Sequence, residues 1–169
     1  MTKSAAIIKD IHRAYDAHSG IVYRLCLSTM QHSADAEDAL QDVFIKYMHS
    51  APDIFQSEEQ ERAWLVRTAA NHCKDLLRKR KLRTHASIDD LDHLARDDAE
   101  DREGAYDVLK TLSSIPEKYR AAVTLHYLEG ASIEQTAGFL GISPAAVKMR
   151  LMRARKLLKE GLTGEGYDV

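Results

Sequence analysis

Long hydrophobic runs are missing from this sequence. No apolar stretch approaches the roughly 20 residues that a membrane-spanning helix requires. The opening residues, MTKSAAIIKD, also lack the apolar core and cleavage site of a signal peptide. We therefore expect a cytoplasmic chain that does not insert into a membrane by itself.

Cysteine is nearly absent as well. The two that occur, Cys26 and Cys73, each lie beside apolar helix positions. Two thiols are too few for a disulfide framework of the kind that small secreted domains use. We expect both to be reduced residues of a hydrophobic core.

Side-chain groupings that carry out catalysis are not found either. The sequence holds no nucleophile with a nearby base, no glycine-rich phosphate loop and no cluster of metal ligands at a recognisable spacing. A di-metal carboxylate site would need Glu and Glu-x-x-His positions on several helices, and we find none. The sequence therefore predicts a protein that is not an enzyme and needs no cofactor or metal.

The sequence does show helical periodicity along most of its length. Hydrophobic residues make up 44% of its 169 residues, which is typical of a folded protein of one large or two small domains. They recur at steps of three and four residues, and no segment shows the sustained alternation of a strand. We predict an all-α fold of two small helical domains joined by an acidic linker.

Charge is strongly segregated along the chain, although the formal net charge is only -2. Two basic blocks, within 78–83 and 148–159, flank an acid-rich stretch at 87–103 whose apolar residues are sparse. The acid-rich stretch is typical of a solvated linker. Each basic block taken alone is equally well explained as a solubilising helix face, so its place in the fold has to decide its role.

Three helices are predicted before the linker, and they form an N-terminal bundle that spans 1–83. Ser33 is the expected N-cap of the second helix, and Ser57 with Gln60 resembles a capping box at the start of the third. The expected buried stripes of the three helices are Ile7, Ile8, Ile11, Tyr15, Val22, Leu25 and Cys26; Ala36, Leu40, Phe44, Tyr47 and Met48; and Trp64, Leu65, Thr68, Ala69, Cys73 and Leu76.

A second helical domain is predicted over 105–169, after a linker at 84–104. Its first helix covers 106–112. Pro116 suits the first position of the next helix, because the N–H that proline lacks has no partner there in any case.

The junction between the last two helices carries clear stop and start signals. Ser132 and Gln135 form a second capping-box pattern, and Gly141 can take the left-handed conformation that ends a helix. Ser143 and Pro144 then begin a new helix almost at once. This order of residues predicts a helix-turn-helix.

Basic residues gather on the second helix of this motif. A positively charged helix after a tight turn fits the major groove of duplex DNA, where flanking phosphates favour cations. A helical hairpin that only packs is the alternative, but it explains Gly141 without explaining the charge. Because the acid-rich stretch opposes nucleic-acid binding, a tethered or partner-assisted binder is favoured over a free-standing repressor. The basic residues are Lys148, Arg150, Arg153, Arg155, Lys156 and Lys159.

Two parts of the chain resemble the sigma-70 family of bacterial RNA polymerase initiation factors, in its extracytoplasmic-function (ECF) branch. The first part is DAEDALQDVFIKYM (35–48) followed by RAWLVRTAANHCKDLLRKRKLR (62–83). The second is IPEKYRAAVTLHYLEGASIEQTAGFLGISPAAVKMRLMRARKLLKEGL (115–162). They occur in the family's order and with its spacing. The resemblance implies a promoter-specificity subunit that binds core RNA polymerase and promoter DNA.

For polymerase binding, the resemblance implies that the helix at 35–48 docks on the clamp helices of the largest polymerase subunit. It also implies that the chain contacts the polymerase flap. An acidic amphipathic helix suits a basic partner helix. The alternative is that acidic residues near the helix start only offset its dipole and keep it solvated. The expected contacts are Asp35, Glu37, Asp38, Gln41, Asp42 and Phe44.

For promoter opening, the resemblance implies that the third helix holds the non-template strand of the minus-ten element. Asn71 would lie near a flipped base and offer it both a donor and an acceptor. Trp64 either stacks on a base or anchors the core, and His72 is either a surface residue or a phosphate contact. The expected phosphate contacts are Lys74, Arg78 and Arg80.

For duplex reading, the resemblance places the last helix in the major groove of the minus-thirty-five element. Ala146 and Met149 stand where the family usually has Thr and a polar residue, which removes hydroxyl contacts and indicates a different preferred sequence. Gln135 and Thr136 replace the customary Glu-Ile without altering the predicted geometry. The expected contacts are Pro144, Ala145, Lys148, Arg150 and Arg153.

Several alternatives stay open at this point. The linker either passes near the template and RNA exit path, where its negative charge imitates nucleic acid, or serves as an inert tether. An anti-sigma factor is an expected partner. Other functions consistent with the pattern are an autonomous helix-turn-helix regulator, whose N-terminal bundle senses a ligand or dimerises, and a helical decoy that binds an anti-sigma factor.

Overall fold

The computed structural model describes residues 2–50, 54–83 and 103–164, and these ranges contain helices and no strands. The predicted all-α fold is confirmed. The acidic linker lies outside the described residues, apart from its last two positions, which already belong to a helix. The helices are α1 (Lys3–Met30), α2 (Ser33–His49), α3 (Glu58–Arg83), α4 (Glu103–Ser113), α5 (Glu117–Val123), a π-helical segment (Thr124–Leu128), α6 (Ile133–Leu140) and α7 (Pro144–Gly164).

The ends of α2 and α3 are fixed by side-chain caps. His32, and not Ser33, caps α2: its backbone is extended, and its Nδ1 accepts a hydrogen bond from the Asp35 N–H at 3.2 Å. The prediction for Ser33 is wrong by one residue, because Ser33 is already helical. At α3, Ser57 Oγ accepts from the Gln60 N–H at 3.1 Å, which is one of the two capping-box bonds. The Gln60 side chain accepts from the Gln56 N–H at 3.1 Å instead of from the Ser57 N–H.

The helix-turn-helix junction is confirmed in detail. Ser132 and Gln135 make both bonds of the capping box at the start of α6. Gly141 ends α6 with φ 66°, in the left-handed region that glycine adopts without strain. Ser143 Oγ then accepts from the Ala146 N–H at 3.1 Å, and Pro144 is the first residue of α7. Pro116 precedes α5 as its N-cap, one position before the predicted one.

The N-terminal helices α1, α2 and α3 enclose a first core. Cys26 and Cys73 are both free thiols within it, as predicted. Three residues assigned to buried stripes, Ile8, Tyr15 and Met48, are exposed instead. Burial of α1 begins only at Ala14, so Ile8 precedes the packed part of the helix. The first core contains Ala14, Ile21, Val22, Leu25, Cys26, Met30, Ala36, Ala39, Leu40, Val43, Phe44, Tyr47, Leu65, Val66, Ala69 and Cys73, together with Leu125, Ala131 and Phe139 from the C-terminal part of the chain.

The C-terminal helices enclose a smaller second core that orients the helix-turn-helix. Val147, Leu151 and Ala154 of α7 are buried in it at three- and four-residue steps. Ala137 is buried in it where α6 approaches α7, and Leu140 and Ile142 pack at its edge. This packing directs the opposite face of α7 outward.

A buried carboxylate joins the three N-terminal helices. Glu61 of α3 is 2% exposed. It accepts two hydrogen bonds from the Arg13 guanidinium of α1, at 2.8 and 3.1 Å, and one from the Tyr47 hydroxyl of α2. Its Oε2 also lies 3.2 Å from Nε2 of His18, which is buried as well. Satisfying a buried charge in this way fixes one mutual arrangement of α1, α2 and α3.

The N-terminal unit is expected to lose stability in acid because of this carboxylate. Burial alone would raise the pKa of Glu61, but the hydrogen bonds from Arg13 and Tyr47 outweigh it and lower that pKa. A lowered pKa contributes stability above the unfolded value of about 4.3 and loses it as the pH falls through the folded pKa. Urea midpoints measured by circular dichroism should therefore fall steadily below about pH 4. The variant Glu61→Gln should show a flatter acid limb; an equally steep one would contradict this origin.

Within the described ranges, no helix is both long enough and apolar enough to cross a bilayer. The same ranges contain no group of three or more His, Cys, Asp or Glu side chains placed to hold a metal ion.

Candidate nucleic-acid and polymerase interfaces

The outward side of α2 is an acidic face, which we define as Glu37, Asp38, Gln41 and Asp42. All four side chains are exposed, because Ala36, Ala39 and Val43 turn the other side of the helix into the first core. The positions are spaced by three and four residues, so they form one continuous band. The structure thus brings four of the six predicted polymerase contacts together on one surface.

Phe44 does not belong to this surface. It is 5% exposed, and its ring lies 5.0 Å from that of Tyr15 and 6.2 Å from that of Tyr47. The side chain therefore supports α2 from within the first core. Almost none of its surface is accessible to a partner, and we omit it from the proposed interface.

Asp35 and Asp42 connect α2 to α3. Asp35 is half-buried and forms an ion pair with Arg80. Asp42 Oδ2 lies 2.9 Å from His72 Nε2, and His72 Nδ1 lies 3.2 Å from the Lys46 ammonium. A neutral His72 fits both contacts if it donates to Asp42 and accepts from Lys46. His72 thus bridges α2 and α3, a position that the sequence left open.

One side of α3 is the side predicted to contact the opened DNA strand. We call it the strand face and define it as Arg67, Asn71, Lys74 and Arg78. At 100° per residue these four positions lie within about 60° of one another, and all four side chains are exposed. Arg78 makes a 3.3 Å contact with Asp75, but both side chains remain mostly solvated. Arg80 lies on the opposite side of the helix, where it meets Asp35. The structure therefore separates Arg80 from the other predicted strand contacts.

Arg67 was not among the predicted residues, although a signal for it was present. It precedes Asn71 by four positions, the spacing that places two residues on one helix face.

Trp64, one turn before Arg67, is half-buried, with its ring centroid 5.8 Å from that of Phe55 and 6.2 Å from that of Tyr47. These contacts favour the core-anchor interpretation of Trp64 over base stacking.

The outward face of α7 carries exposed basic side chains. Pro144, Ala145 and Lys148 are exposed near its start, as predicted. Arg153 is exposed, and its hydrogen bond lowers the pKa of Tyr119. Arg150 is half-buried on the flank and donates to the Lys118 carbonyl oxygen at 3.3 Å. Lys148 is therefore better placed than Arg150 to meet DNA directly.

Two apolar side chains lie within this basic face. Met149 and Met152 are 44% and 53% exposed. Beside them, Arg155 donates to the Tyr127 hydroxyl at 2.6 Å. A mixed surface of methionines and cations can meet both thymine methyl groups and phosphates in a major groove.

Thr136 marks a local departure from an apolar core. It is completely buried in α6, and its hydroxyl has no hydrogen-bond partner among the described residues. A buried unpaired hydroxyl lowers stability relative to a similar apolar group. The sequence resemblance places Ile at this position in the family. Thr136 keeps the helix geometry intact, but its unpaired hydroxyl lowers the stability of the fold.

Family models match both halves of the chain. The model described as Sigma-70 region 2 matches residues 14–83, and the model described as Sigma-70, region 4 matches residues 106–158. The two matches include α2 and α3 in the first case and the helix-turn-helix in the second.

Several curated proteins are similar over most of the chain. The ECF RNA polymerase sigma factor SigM of Mycobacterium tuberculosis is 36% identical over 141 residues, which cover 83% of this chain and 71% of that protein. The protein named ECF RNA polymerase sigma factor SigM in Bacillus subtilis is 30% identical over 154 residues, with 88% and 93% covered.

Two solved structures share the fold. One is the sigma factor RpoE in complex with the anti-sigma factor NepR from Bartonella quintana, with a TM-score of 0.69, 25% identity and coverage of 92% of this chain and 98% of that chain. The other is CnrH in complex with the cytosolic domain of CnrY, with a TM-score of 0.66, 24% identity and coverage of 94% and 90%.

Proposed function

Because this chain belongs to the ECF branch of the sigma-70 family of RNA polymerase sigma factors, we propose that its two helical units perform separate recognition steps. ECF sigma factors direct transcription initiation as non-enzymatic subunits of RNA polymerase. In the proposal, residues 1–83 bind core polymerase and the opened minus-ten element, residues 84–104 form the linker, and residues 105–169 read the minus-thirty-five element as duplex.

The acidic face of α2 is the proposed polymerase contact. Glu37, Asp38, Gln41 and Asp42 are exposed together on a helix held rigidly by the first core. This surface complements a basic helix pair such as the clamp helices that the family resemblance implies. Asp35 contributes less directly, because it is engaged with Arg80. We propose the flap as the second polymerase contact, made by the C-terminal unit.

The strand face of α3 is the proposed contact for the opened minus-ten element. Asn71 carries an amide that can both donate to and accept from a base edge. Lys74 and Arg78 lie within about two turns of it on the same side and can neutralise backbone phosphates. Arg80 is assigned to the junction with α2 instead, since its contact with Asp35 holds it away from this side.

The outward face of α7 is the proposed contact for the minus-thirty-five duplex. The observation that carries this proposal is that this face is exposed and bears basic side chains. The turn at Gly141 and the packing of Val147, Leu151 and Ala154 hold that face away from the protein. Pro144, Ala145 and Lys148 lie near the N-terminal end of the helix, which is the part that enters the groove in helix-turn-helix proteins.

Replacing Lys148 by alanine is expected to weaken promoter binding by the reconstituted holoenzyme roughly tenfold at low salt. One phosphate contact fewer should also reduce the slope of log affinity against log salt by about 0.9. Fluorescence anisotropy over a salt series measures both quantities. Lys110→Ala is the matched control, because Lys110 is an exposed lysine on α4. Equal losses in the two variants would show that Lys148 has no special role.

An anti-sigma factor is a further proposed partner. The structure of the sigma factor RpoE was determined with the anti-sigma factor NepR, and this chain shares the fold of RpoE. The acidic face and the outward face of α7 are both open to such a partner. Co-purification with a candidate inhibitor, lost on Asp38→Lys, would support the acidic face as its site.

In vitro transcription from a promoter library separates the proposed function from its alternatives. Transcripts that appear only when the chain is added to core polymerase support a promoter-specificity role. Sequence-specific DNA binding that needs no polymerase would favour an autonomous regulator. Neither activity, together with tight binding of an anti-sigma factor, would favour a decoy.

A further inference from the structure

Two methionines occupy the middle of the outward face of α7. At 100° per residue, the position of Met149 lies within about 20° of the direction opposite to the mean of Val147, Leu151 and Ala154, the residues of α7 that are buried in the second core. Met152 lies about 60° to one side of Met149. Both thioether side chains are exposed, so the centre of this face is apolar.

Basic side chains flank this apolar centre on both sides. Lys148 and Arg150 each lie about 100° from Met149, in opposite directions around the helix. Arg153 lies on the side of Arg150, about 40° from Met149. Because phosphates border the floor of a major groove on both sides, this arrangement places the cations against phosphates and the methionines against the edges of the bases.

A thioether differs from other apolar side chains because it can be oxidised. Its sulfur lone pair attacks one oxygen of hydrogen peroxide, the O–O bond breaks, and the released hydroxide takes up the remaining proton and leaves as water. The sulfur loses two electrons and the peroxide gains them. The product, methionine sulfoxide, is polar, and dedicated reductases convert it back to the thioether.

Oxidation at the centre of this face would oppose docking of α7 on a duplex. The sulfoxide oxygen is a strong hydrogen-bond acceptor, and its desolvation costs free energy wherever a base edge offers it no donor. The apolar contact with a thymine methyl group is lost as well. Met149 and Met152 lie outside the second core, so the fold itself should tolerate the change.

The other sulfur atoms of the described residues compete poorly for an oxidant or lie elsewhere. Cys26 and Cys73 are fully buried. A hydrogen bond with the Cys73 thiol, together with burial, raises the pKa of Cys26, and the thiolate is the reactive form. Met30 is 4% exposed, whereas Met48 on α2 is 48% exposed, between the 44% of Met149 and the 53% of Met152. Met48 is therefore an internal control of matched exposure.

We propose that Met149 and Met152 are sites of reversible oxidation, at which conversion of the thioether to the sulfoxide by a peroxide weakens the binding of α7 to duplex DNA. Transcription directed by this chain then falls when peroxide accumulates and recovers when the sulfoxides are reduced. This inference rests on the proposed function, since it uses the contact of α7 with the minus-thirty-five duplex.

Peptide mass mapping tests the sites independently of DNA. The full chain is treated with hydrogen peroxide, and catalase then removes the oxidant. We expect one added oxygen on Met149, on Met152 and on the exposed Met48, and none on Met30 while the chain remains folded. Conversion of Met48 without conversion of Met149 and Met152 would overturn the proposal.

Promoter binding by the reconstituted holoenzyme tests the consequence. The oxidised chain is mixed with a saturating amount of untreated core polymerase, and fluorescence anisotropy follows binding to a promoter duplex recovered from the transcription library. Oxidation should weaken binding by about tenfold, comparable to one mismatched base pair. Treatment with the two methionine sulfoxide reductases, one for each epimer, should restore it. Unchanged affinity after oxidation, or removal of the sulfoxides without recovery, would contradict the proposal.

Leucine substitutions assign the effect to particular sulfur atoms. Whatever its starting affinity, the double variant Met149→Leu, Met152→Leu should change by less than about twofold on peroxide treatment. Met48→Leu is the matched control and should still lose about tenfold. Equal losses in the two variants would place the responsible sulfur elsewhere. Urea denaturation of the oxidised chain should give an unchanged midpoint, and a fall in that midpoint would mean that unfolding causes the loss.

The outcome is separable from that of the proposed function. Chain-dependent promoter binding that persists after Met149 and Met152 have been oxidised overturns only this inference. Absence of chain-dependent transcription and promoter binding before any peroxide is added would instead overturn the proposed function, whatever the peptide map shows.

Discussion

Replacing both Asp38 and Asp42 by lysine is expected to weaken binding to core RNA polymerase by more than about a hundredfold, because like charges across an interface cost several kcal/mol. Both carboxylates are exposed on the acidic face, so their loss should not disturb the first core. Asp42 also contacts His72, and the single substitution Asp38→Lys separates the interface effect from any change at that contact.

Fluorescence-detected titration of core polymerase with the labelled chain measures this effect. Asp107→Lys is the matched control, since Asp107 is an exposed carboxylate on α4. Binding of the chain to the minus-thirty-five duplex should be unchanged in all variants. Full polymerase affinity in the double variant would exclude α2 as the contact, and parallel losses in both assays would indicate misfolding.

Replacing Glu61 by alanine is expected to destabilise the N-terminal unit by about 3 kcal/mol. The substitution leaves the buried Tyr47 hydroxyl and the buried His18 ring without their shared acceptor. It also releases Arg13, the only one of the three partners with a largely solvated side chain. A loss of this size is a large part of the total stability of a small domain.

Urea denaturation followed by helical circular dichroism measures this loss. Glu59→Ala is the matched control, because Glu59 lies in the same first turn of α3 but is exposed. It should change the free energy of unfolding by less than about 0.5 kcal/mol. Equal effects of the two substitutions would show that Glu61 is not the junction of the three helices.

Local signals in the sequence were sufficient for the helices and for the helix-turn-helix. The capping box at Ser132, the left-handed Gly141 and the start of α7 at Pro144 depend on neighbouring backbone groups, and each occurs as predicted. The outward position of Lys148 also follows from local periodicity.

Functional positions that depend on distant partners were less predictable. Phe44 matched the family pattern of a polymerase contact, but the aromatic rings of Tyr15 and Tyr47 enclose it. Arg80 belonged to the basic block of α3, yet Asp35 holds it on the other side of the helix. A sequence pattern records which residues share a face and does not record what packs against that face.

The sequence by itself determined the helical class, most of the helix ends, the two family regions and the charge segregation, because these depend on neighbouring residues in the chain. The tertiary structure decided the rest: the buried Glu61 junction, the burial of Phe139 in the core of the other unit and the contact of Arg67 with Gly138. These contacts join residues far apart in the chain, and only packing in three dimensions brings them within reach of one another.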